Sequence, residues 1–243
     1  WFMEFFDSPF FFKLLKNTVV LSFYTLLWGF PFPIIFALML NEMKKGIFKN
    51  TVQSISYFPY FISVVVMVGI LSNLFSTTNG IVNQVIQWMG MEPQKFLADP
   101  KWFRTLYVGS NVWQNFGFTS IIYLSALSAI DPQLYESSKI DGATRFQNIF
   151  KITIPMIMPT IIMMLILRMG NIMSIGFEKA FLMYKPSNAS VSDILSLYVY
   201  RKGITNMEFS FATAIGLFNS TINCILLFVT NRLSKRTTQN GLW

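Results

Sequence analysis

The chain has 243 residues, 53% of them hydrophobic and only 12% charged, where a soluble domain carries about 25% charged residues; this is the composition of an integral membrane protein. Its net charge of +8 is not gathered into a basic stripe interleaved with aromatics, so it is read as loop charge near anionic lipid and not as a nucleic-acid footprint. Histidine is absent and Cys224 is the single cysteine, which excludes an intrachain disulfide, thiolate or imidazole metal sites, and Ser/His/Asp or Cys/His catalysis.

Residues Trp1 to Lys16 are aromatic-rich and mixed in charge, as suits an interfacial segment. Asn17 to Asn41 then runs 25 residues without a charge, enough to cross a hydrocarbon layer of about 30 Å. Pro31 and Pro33 predict a kink within it. A basic turn follows, with Lys44, Lys45 and Lys49, and the next charge is Glu92. That uncharged run is too long for one helix and is broken around Asn79, Gly80 and Asn83. The reading therefore places a second span at about Ile55 to Phe75 and an outer amphipathic stretch from Ser76 to Arg104. Tyr57, Phe58, Tyr60 and Phe61 read as an interfacial belt. A third span covers Thr105 to Ile130, a fourth runs from Ile154 to about Phe177, and a fifth covers Phe209 to Asn231, ahead of a basic tail from Arg232. Glu178 to Glu208 reads as a polar outer excursion. Cys224, inside the last span, is expected to be a small buried residue.

Between the third and fourth spans lies a polar segment from Asp131 to Pro155. Asp131-Pro132 reads as N-cap and first helical position, and the helix they open should end at about Asp141, where Gly142 can turn left-handed. A second short helix is expected next, with Phe146, Ile149 and Phe150 on one face. Two short helices joined at a glycine form a knob suited to passing motion from a soluble partner into a membrane domain.

These residues resemble the EAA motif of permease subunits in binding-protein-dependent ABC importers. Glu136, Gly142, Ile152 and Pro155 stand at its marked positions; Ser137 and Ser138 replace its two alanines and Ile154 its leucine. Asp141-Gly142-Ala143 is as the sugar-importer branch has it. The stretches Gly176 to Pro186 and Leu197 to Arg201 resemble the polysaccharide-type branch, with Met183-Tyr-Lys-Pro186 where many sugar permeases carry Thr-x-Gly-Gly-Pro. That departure favours an oligomeric glycan over a simple disaccharide.

The resemblance implies an all-α integral membrane protein with the type I ABC importer transmembrane fold. It implies one permease domain over residues 1–243, with 131–155 as the cytoplasmic coupling segment. Five spans are visible, and a sixth is expected ahead of Trp1. Implied partners are a second homologous permease, two ATP-binding subunits, an extracytoplasmic solute-binding protein, a carbohydrate substrate and the lipid bilayer, with no nucleic acid. The ATPase-coupling positions are Glu136, Ser137, Ser138, Asp141, Gly142, Ala143, Phe146, Ile152 and Pro155. No GxxxxGK[ST] loop occurs, so no cofactor is expected in this chain, and ATP and Mg²⁺ belong to the partner ATPase. Lys and Arg number nine on each side of the membrane. On the knob side they sit in shorter loops, a weak vote for that side being cytoplasmic, and the resemblance implies the same orientation, with the C-terminus in the cytoplasm. The location implied is the bacterial plasma membrane.

Candidate path residues come from polar groups inside spans. Asn111, Trp113 and Asn115 combine amides with an indole, a set that suits stacking on and hydrogen bonding to sugar; helix–helix hydrogen bonding is the competing explanation. Arg168, about 21 Å along the axis from Ile154 and so past mid-bilayer, is expected to line the path or brace a neighbouring helix, with Asn171 three residues on along the same face. Asn219 and Asn223, one turn apart, are further candidates. No acid falls inside a span, which counts against proton coupling, and no catalytic or metal-ligating set is expected. A non-sugar solute, or a passive channel or scaffold, are the alternatives.

Overall fold

The computed structural model describes residues 1–238 and 241, and among them the regular structure is helical with no strand. Residues 239, 240, 242 and 243, including the C-terminus expected in the cytoplasm, lie outside the described residues. The helices in chain order are α1 (Phe2–Phe6), α2 (Phe11–Gly29), α3 (Pro31–Glu42), α4 (Ile47–Tyr57), α5 (Val64–Leu74), α6 (Ile81–Trp88), α7 (Pro100–Ser128), α8 (Pro132–Ile140), α9 (Arg145–Asn148), α10 (Ile154–Met169), α11 (Phe177–Met183), α12 (Ala189–Ser192), α13 (Leu195–Tyr200) and α14 (Phe209–Thr238).

Three stretches are long and apolar enough to cross a membrane: Phe11–Glu42, Arg145–Met169 and Phe209–Arg236. In the first, Phe30 interrupts the helix and Pro31 opens α3, so the expected proline kink is a restart in which proline takes the position that needs no N–H donor. A fourth crossing is broken. The span expected at Ile55 to Phe75 is instead α4, a 3₁₀ turn over Phe58–Phe61, and α5, a broken span or re-entrant turn. Pro59 sits in that turn, and Ser63 then caps α5, its hydroxyl accepting from the Val66 amide. The third expected span belongs to α7, which starts at Pro100 and is 29 residues long. Its polar run from Ser110 to Asn115 dilutes its apolarity.

The fourth span needs correction at both ends. The coupling segment does not close as a separate second short helix. Instead α9 runs through a π-helical stretch, Ile149–Thr153, into α10, giving one 25-residue helix from Arg145 to Met169. Its far end is Met169 and not Phe177, because residues 170–176 form a turn and irregular structure.

The chain divides into two compact units. The first comprises Trp1–Leu26, Ile62–Asn111 and Asn171–Cys224. Its interior includes edge-to-face rings of Phe5 with Phe11 at 5.0 Å, with Phe218 at 5.6 Å and with Phe211 at 6.4 Å. Small polar side chains of α2 hold the outer excursion: Asn17 donates to the carbonyls of Ser190 and Asp193, Ser22 to that of Ile172, and Thr18 accepts from the Leu195 amide. Inside a membrane helix such groups serve best when each finds a partner, and these do.

The second unit comprises Leu27–Phe61, Val112–Gly170 and Ile225–Trp243. Its core gathers Ala37, Tyr123, Leu127, Ile130 and Ile157, all buried. Gly117 lets α7 lie directly on α4, since a Cβ there would stand 2.0 Å from the Ser56 carbonyl oxygen. Beside it the rings of Tyr60 and Phe118 stack at 4.0 Å. Cys224, expected to be buried, is exposed. The neighbouring Asn223 takes the inward position on α14, and one residue of helix turns Cys224 away by about 100°.

Candidate functional site

The coupling segment is built almost wholly from local signals. The Asp131 carboxylate accepts from the Gln133 amide and Pro132 fills the first helical position, so α8 starts where the sequence predicts. It ends at Ile140 in a Schellman closure: the Gly142 amide donates to the Lys139 carbonyl and the Ala143 amide to that of Ser138. Gly142 sits at φ +76, in the left-handed region, with open space where a Cβ would be. Thr144 then caps α9 in a reciprocal box with Gln147, a cap that the Thr-x-x-Gln spacing could have signalled.

The π stretch is where this segment meets the membrane helix. The Thr153 hydroxyl reaches back five residues to the Asn148 carbonyl, and Pro155 brings no N–H of its own to the ladder. Tyr135, which carried no signal in the sequence, ties α8 to this stretch: its hydroxyl meets the Thr153 hydroxyl at 3.0 Å. Its ring packs beside the Ala37–Tyr123–Leu127–Ile157 core. The knob is therefore seated on rigid helices at one side only.

Its other side is bare. Glu136, Ser137, Asp141 and Gly142 are exposed, Ser138 is buried beneath them, and Ala143 and Ile152 are half-buried. Ile140, Phe146 and Phe150 are 87%, 75% and 65% exposed, so the two phenylalanines do not tuck against the chain's own spans. Burying each of these three side chains against a partner would contribute roughly 1.5–3 kcal/mol. A rim of Glu136, Lys139, Asp141 and Arg145 around them supplies charge of both signs.

Of the candidate path residues, Asn111, Asn171 and Asn219 belong to the first unit and Trp113, Asn115 and Arg168 to the second. Trp113 is 44% exposed, Asn111 and Asn115 are half-buried and hydrogen-bonded or otherwise engaged, and Gln114 is buried. Arg168 is exposed in the last turn of α10, close to Gly29, whose Cβ position would lie 4.0 Å from the guanidinium. In the helix that runs from Arg145 to Met169, Arg168 lies at the far end. There a cation also complements the unpaired helix carbonyls. Asn171 falls beyond the helix end, exposed in the following turn, so the shared helical face with Arg168 does not exist. Asn223 holds that turn, accepting from the Met173 amide at 2.9 Å and donating to the Ser174 hydroxyl at 3.0 Å. Asn219 donates to the Met173 carbonyl at 3.5 Å, leaving its own carbonyl oxygen buried without a hydrogen-bond partner among the described residues.

One buried cation went unread in the sequence. Lys179, in α11, is 3% exposed, and its ammonium makes no hydrogen bond or ion pair among the described residues. It faces the Tyr107 ring at 5.7 Å, and burial pushes its pKa down to about 8. No cluster of three or more metal-ligating side chains occurs among the described residues.

Comparison with known proteins places this arrangement. The chain is 41% identical over 243 residues to Protein LplB of Bacillus subtilis, covering 100% of this chain and 76% of that one. It is 40% identical over 242 residues to the polygalacturonan/rhamnogalacturonan transport system permease protein YteP of the same organism, covering 100% and 75%. A permease chain in the crystal structure of a bacterial alginate ABC transporter, in complex with an alginate pentasaccharide-bound periplasmic protein, superposes with a TM-score of 0.96 at 42% identity. That match covers 99% of this chain and 84% of the other. The MetNI methionine ABC transporter shares the fold alone, with a TM-score of 0.67 at 16% identity over 96% of this chain. Residues 29–239 match the family described as binding-protein-dependent transport system inner membrane component. This all-α chain, with its membrane-crossing helices and exposed knob, belongs to that family and has the fold of the type I ABC importer permeases.

Proposed function

We propose that this chain is the membrane subunit of an ATP-driven importer that passes a carbohydrate, an oligosaccharide or polysaccharide fragment, from an extracytoplasmic binding protein into the cytoplasm. The observation that carries the reading is similarity over the whole chain, at 40–42% identity, to permeases named for polygalacturonan and alginate transport. The exposed knob supports the coupling half of it. A second homologous permease would complete the pathway, and two ATPase subunits would bind ATP and Mg²⁺ and supply the free energy of hydrolysis. The knob side and the C-terminus would face the cytoplasm of a bacterial cell.

In this reading Ile140, Phe146 and Phe150 seat in a groove of the ATPase, with Glu136 and Asp141 as charged anchors. Gly142 and Ala143 permit close backbone approach, as do Ser137 and the buried Ser138 beneath them. Because α9 is continuous with the 25-residue helix ending at Met169, a displacement of the knob is passed to the membrane without a hinge at Pro155. The two permeases then rock between outward-open and inward-open states, each favoured by a different ATPase state. Trp113, Asn111, Asn115 and Asn219, with Arg168 and Asn171, are the residues of this chain proposed to meet the moving solute or brace its path.

The test is purification of the tagged chain in mild detergent with mass spectrometry of what remains bound. Recovery of a second permease and an ATPase is the expected result. A chain recovered only as a homo-oligomer, with no ATPase even after cross-linking at the knob, would overturn the importer reading.

A further inference from the structure

The first unit contains a cleft of about 390 Å³ that the coupling mechanism does not use. That volume is within the range of small-ligand sites, roughly 300–1,000 Å³. Three separate stretches wall it: the end of α5 and the turn after it (Ser72, Ser76, Thr77, Thr78), the loop ahead of α7 (Lys95), and the turn after α11 (Lys185). No acidic side chain lines it, and neither lysine makes an ion pair among the described residues. Two ammoniums over a bank of hydroxyls form a local excess of hydrogen-bond donors and positive charge.

The walls are fixed by two buried asparagines. Asn83, 1% exposed, donates to the Ser76 and Gln94 carbonyls and accepts from the Gln94 amide, joining the first wall to the second. Asn188, 0% exposed, donates to the Leu97 and Met183 carbonyls and accepts from the Lys185 amide and the Ser192 hydroxyl, joining the second wall to the third. Gly80 completes the frame, since a Cβ there would stand 2.4 Å from the Ser76 carbonyl oxygen. The backbone that carries both lysines is thus held before any ligand arrives, which lowers the ordering cost of binding.

We infer that this cleft is a binding station for the carboxylate of an acidic sugar, a uronic-acid-containing oligosaccharide, on the extracytoplasmic side. The inference rests on the importer reading for the source and direction of the sugar. Hydroxyl donors and acceptors match the hydroxyls of a pyranose ring, and the paired lysines match its carboxylate through charge-assisted hydrogen bonds. Both lysines are solvent-exposed, so a neutral glycan gains only hydroxyl hydrogen bonds there, whereas a carboxylate adds charge-assisted bonds to the ammoniums. The acidic sugar therefore gains where the neutral one does not.

The experiment uses the assembled importer in lipid nanodiscs at low salt, with trigalacturonate as probe and its fully methyl-esterified form as control, followed by saturation-transfer NMR titration. The acid is expected to bind more tightly than the ester. The double variant Lys95→Gln/Lys185→Gln should weaken the acid about tenfold, to the level of the ester, while Lys95→Arg/Lys185→Arg retains it. Equal binding of acid and ester to the unaltered complex, or an acid affinity untouched by the double glutamine variant, overturns the proposal. So does a double variant that loses only association of the solute-binding protein, which would make the cleft a protein-docking surface. Failure of the importer reading shows separately, as a complex that purifies without its ATPase before any glycan is added.

Discussion

The segment 131–155 and the stretch 171–208, which is the turn after α10 together with the outer excursion, both lie between membrane helices, yet they are held by opposite means. In the first, most capping bonds reach two to five residues: Asp131 to Gln133, Ala143 to Ser138, Thr144 to Gln147, Thr153 to Asn148. In the second, the bonds that fix the backbone come from far along the chain: Asn17 to Ser190 and Asp193, Thr18 to Leu195, Ser22 to Ile172, Asn188 to Leu97. A segment that caps itself keeps its outer face free for a partner. One that is stapled to membrane helices gives up that freedom and in exchange holds a fixed surface, here the walls of the lysine cleft.

This contrast can be broken at three places. The largest effect is expected at Gly142. Gly142→Val meets no steric obstacle but places a β-branched residue at φ +76, a cost on the order of 1–3 kcal/mol that reshapes the junction of α8 and α9. ATP-driven uptake in proteoliposomes should fall by more than about tenfold, while Gly142→Asn, which tolerates that backbone region, keeps most of it. Undiminished uptake in the valine variant would show that the local closure does not matter for coupling.

Next is Asn188→Ala, which removes four hydrogen-bonding interactions of a fully buried side chain. It should lower stability by roughly 2–4 kcal/mol, read as a drop in melting temperature of the detergent-solubilised protein. A similar truncation at the knob, Thr144→Ala, should cost only about 1 kcal/mol, because only a local cap is lost. Equal losses at both sites would erase the distinction between tertiary stapling and self-capping.

A third effect runs the other way. Lys179 is buried without a counter-charge among the described residues, and burial holds its pKa at about 8 against an ordinary 10.5. Below pH 8 both folded and unfolded chains are protonated and the folded state bears the desolvation cost; between pH 8 and 10.5 the unfolded chain binds more protons, so stability rises with pH. Lys179→Met should therefore stabilise the protein at pH 7, by on the order of 2 kcal/mol after the lost contact with the Tyr107 ring. That gain should shrink as pH approaches 10. A melting temperature that falls on substitution between pH 6 and 7 would mean that the ammonium has a favourable partner after all.

The sequence by itself determined the elements whose signals are local. Uncharged runs long enough to cross a bilayer marked the helices of α2–α3 and α14, and an apolar run interrupted only by Arg168 marked α10, because no other backbone satisfies itself in hydrocarbon. Asp131-Pro132 and Gly142 marked the start and end of α8, since each residue's own side chain or lack of one does the capping. The spacing of Glu136, Gly142, Ile152 and Pro155 carried the family. Tertiary structure decided the rest. Whether α9 ends or runs on into α10 depends on Thr153 and Tyr135 meeting across 18 residues, which no window of sequence contains. The break between α4 and α5 falls at Pro59 and the Ser63 cap, two local signals inside an apolar run whose length alone reads as a single span. Asn17, Asn83 and Asn188 read alike as polar interruptions, and only their distant backbone partners show that they are staples. Lys95 and Lys185 stand ninety residues apart in the chain, and it is the buried Asn188, bonded at once to Leu97 and to the Lys185 amide, that makes them neighbours in one cleft.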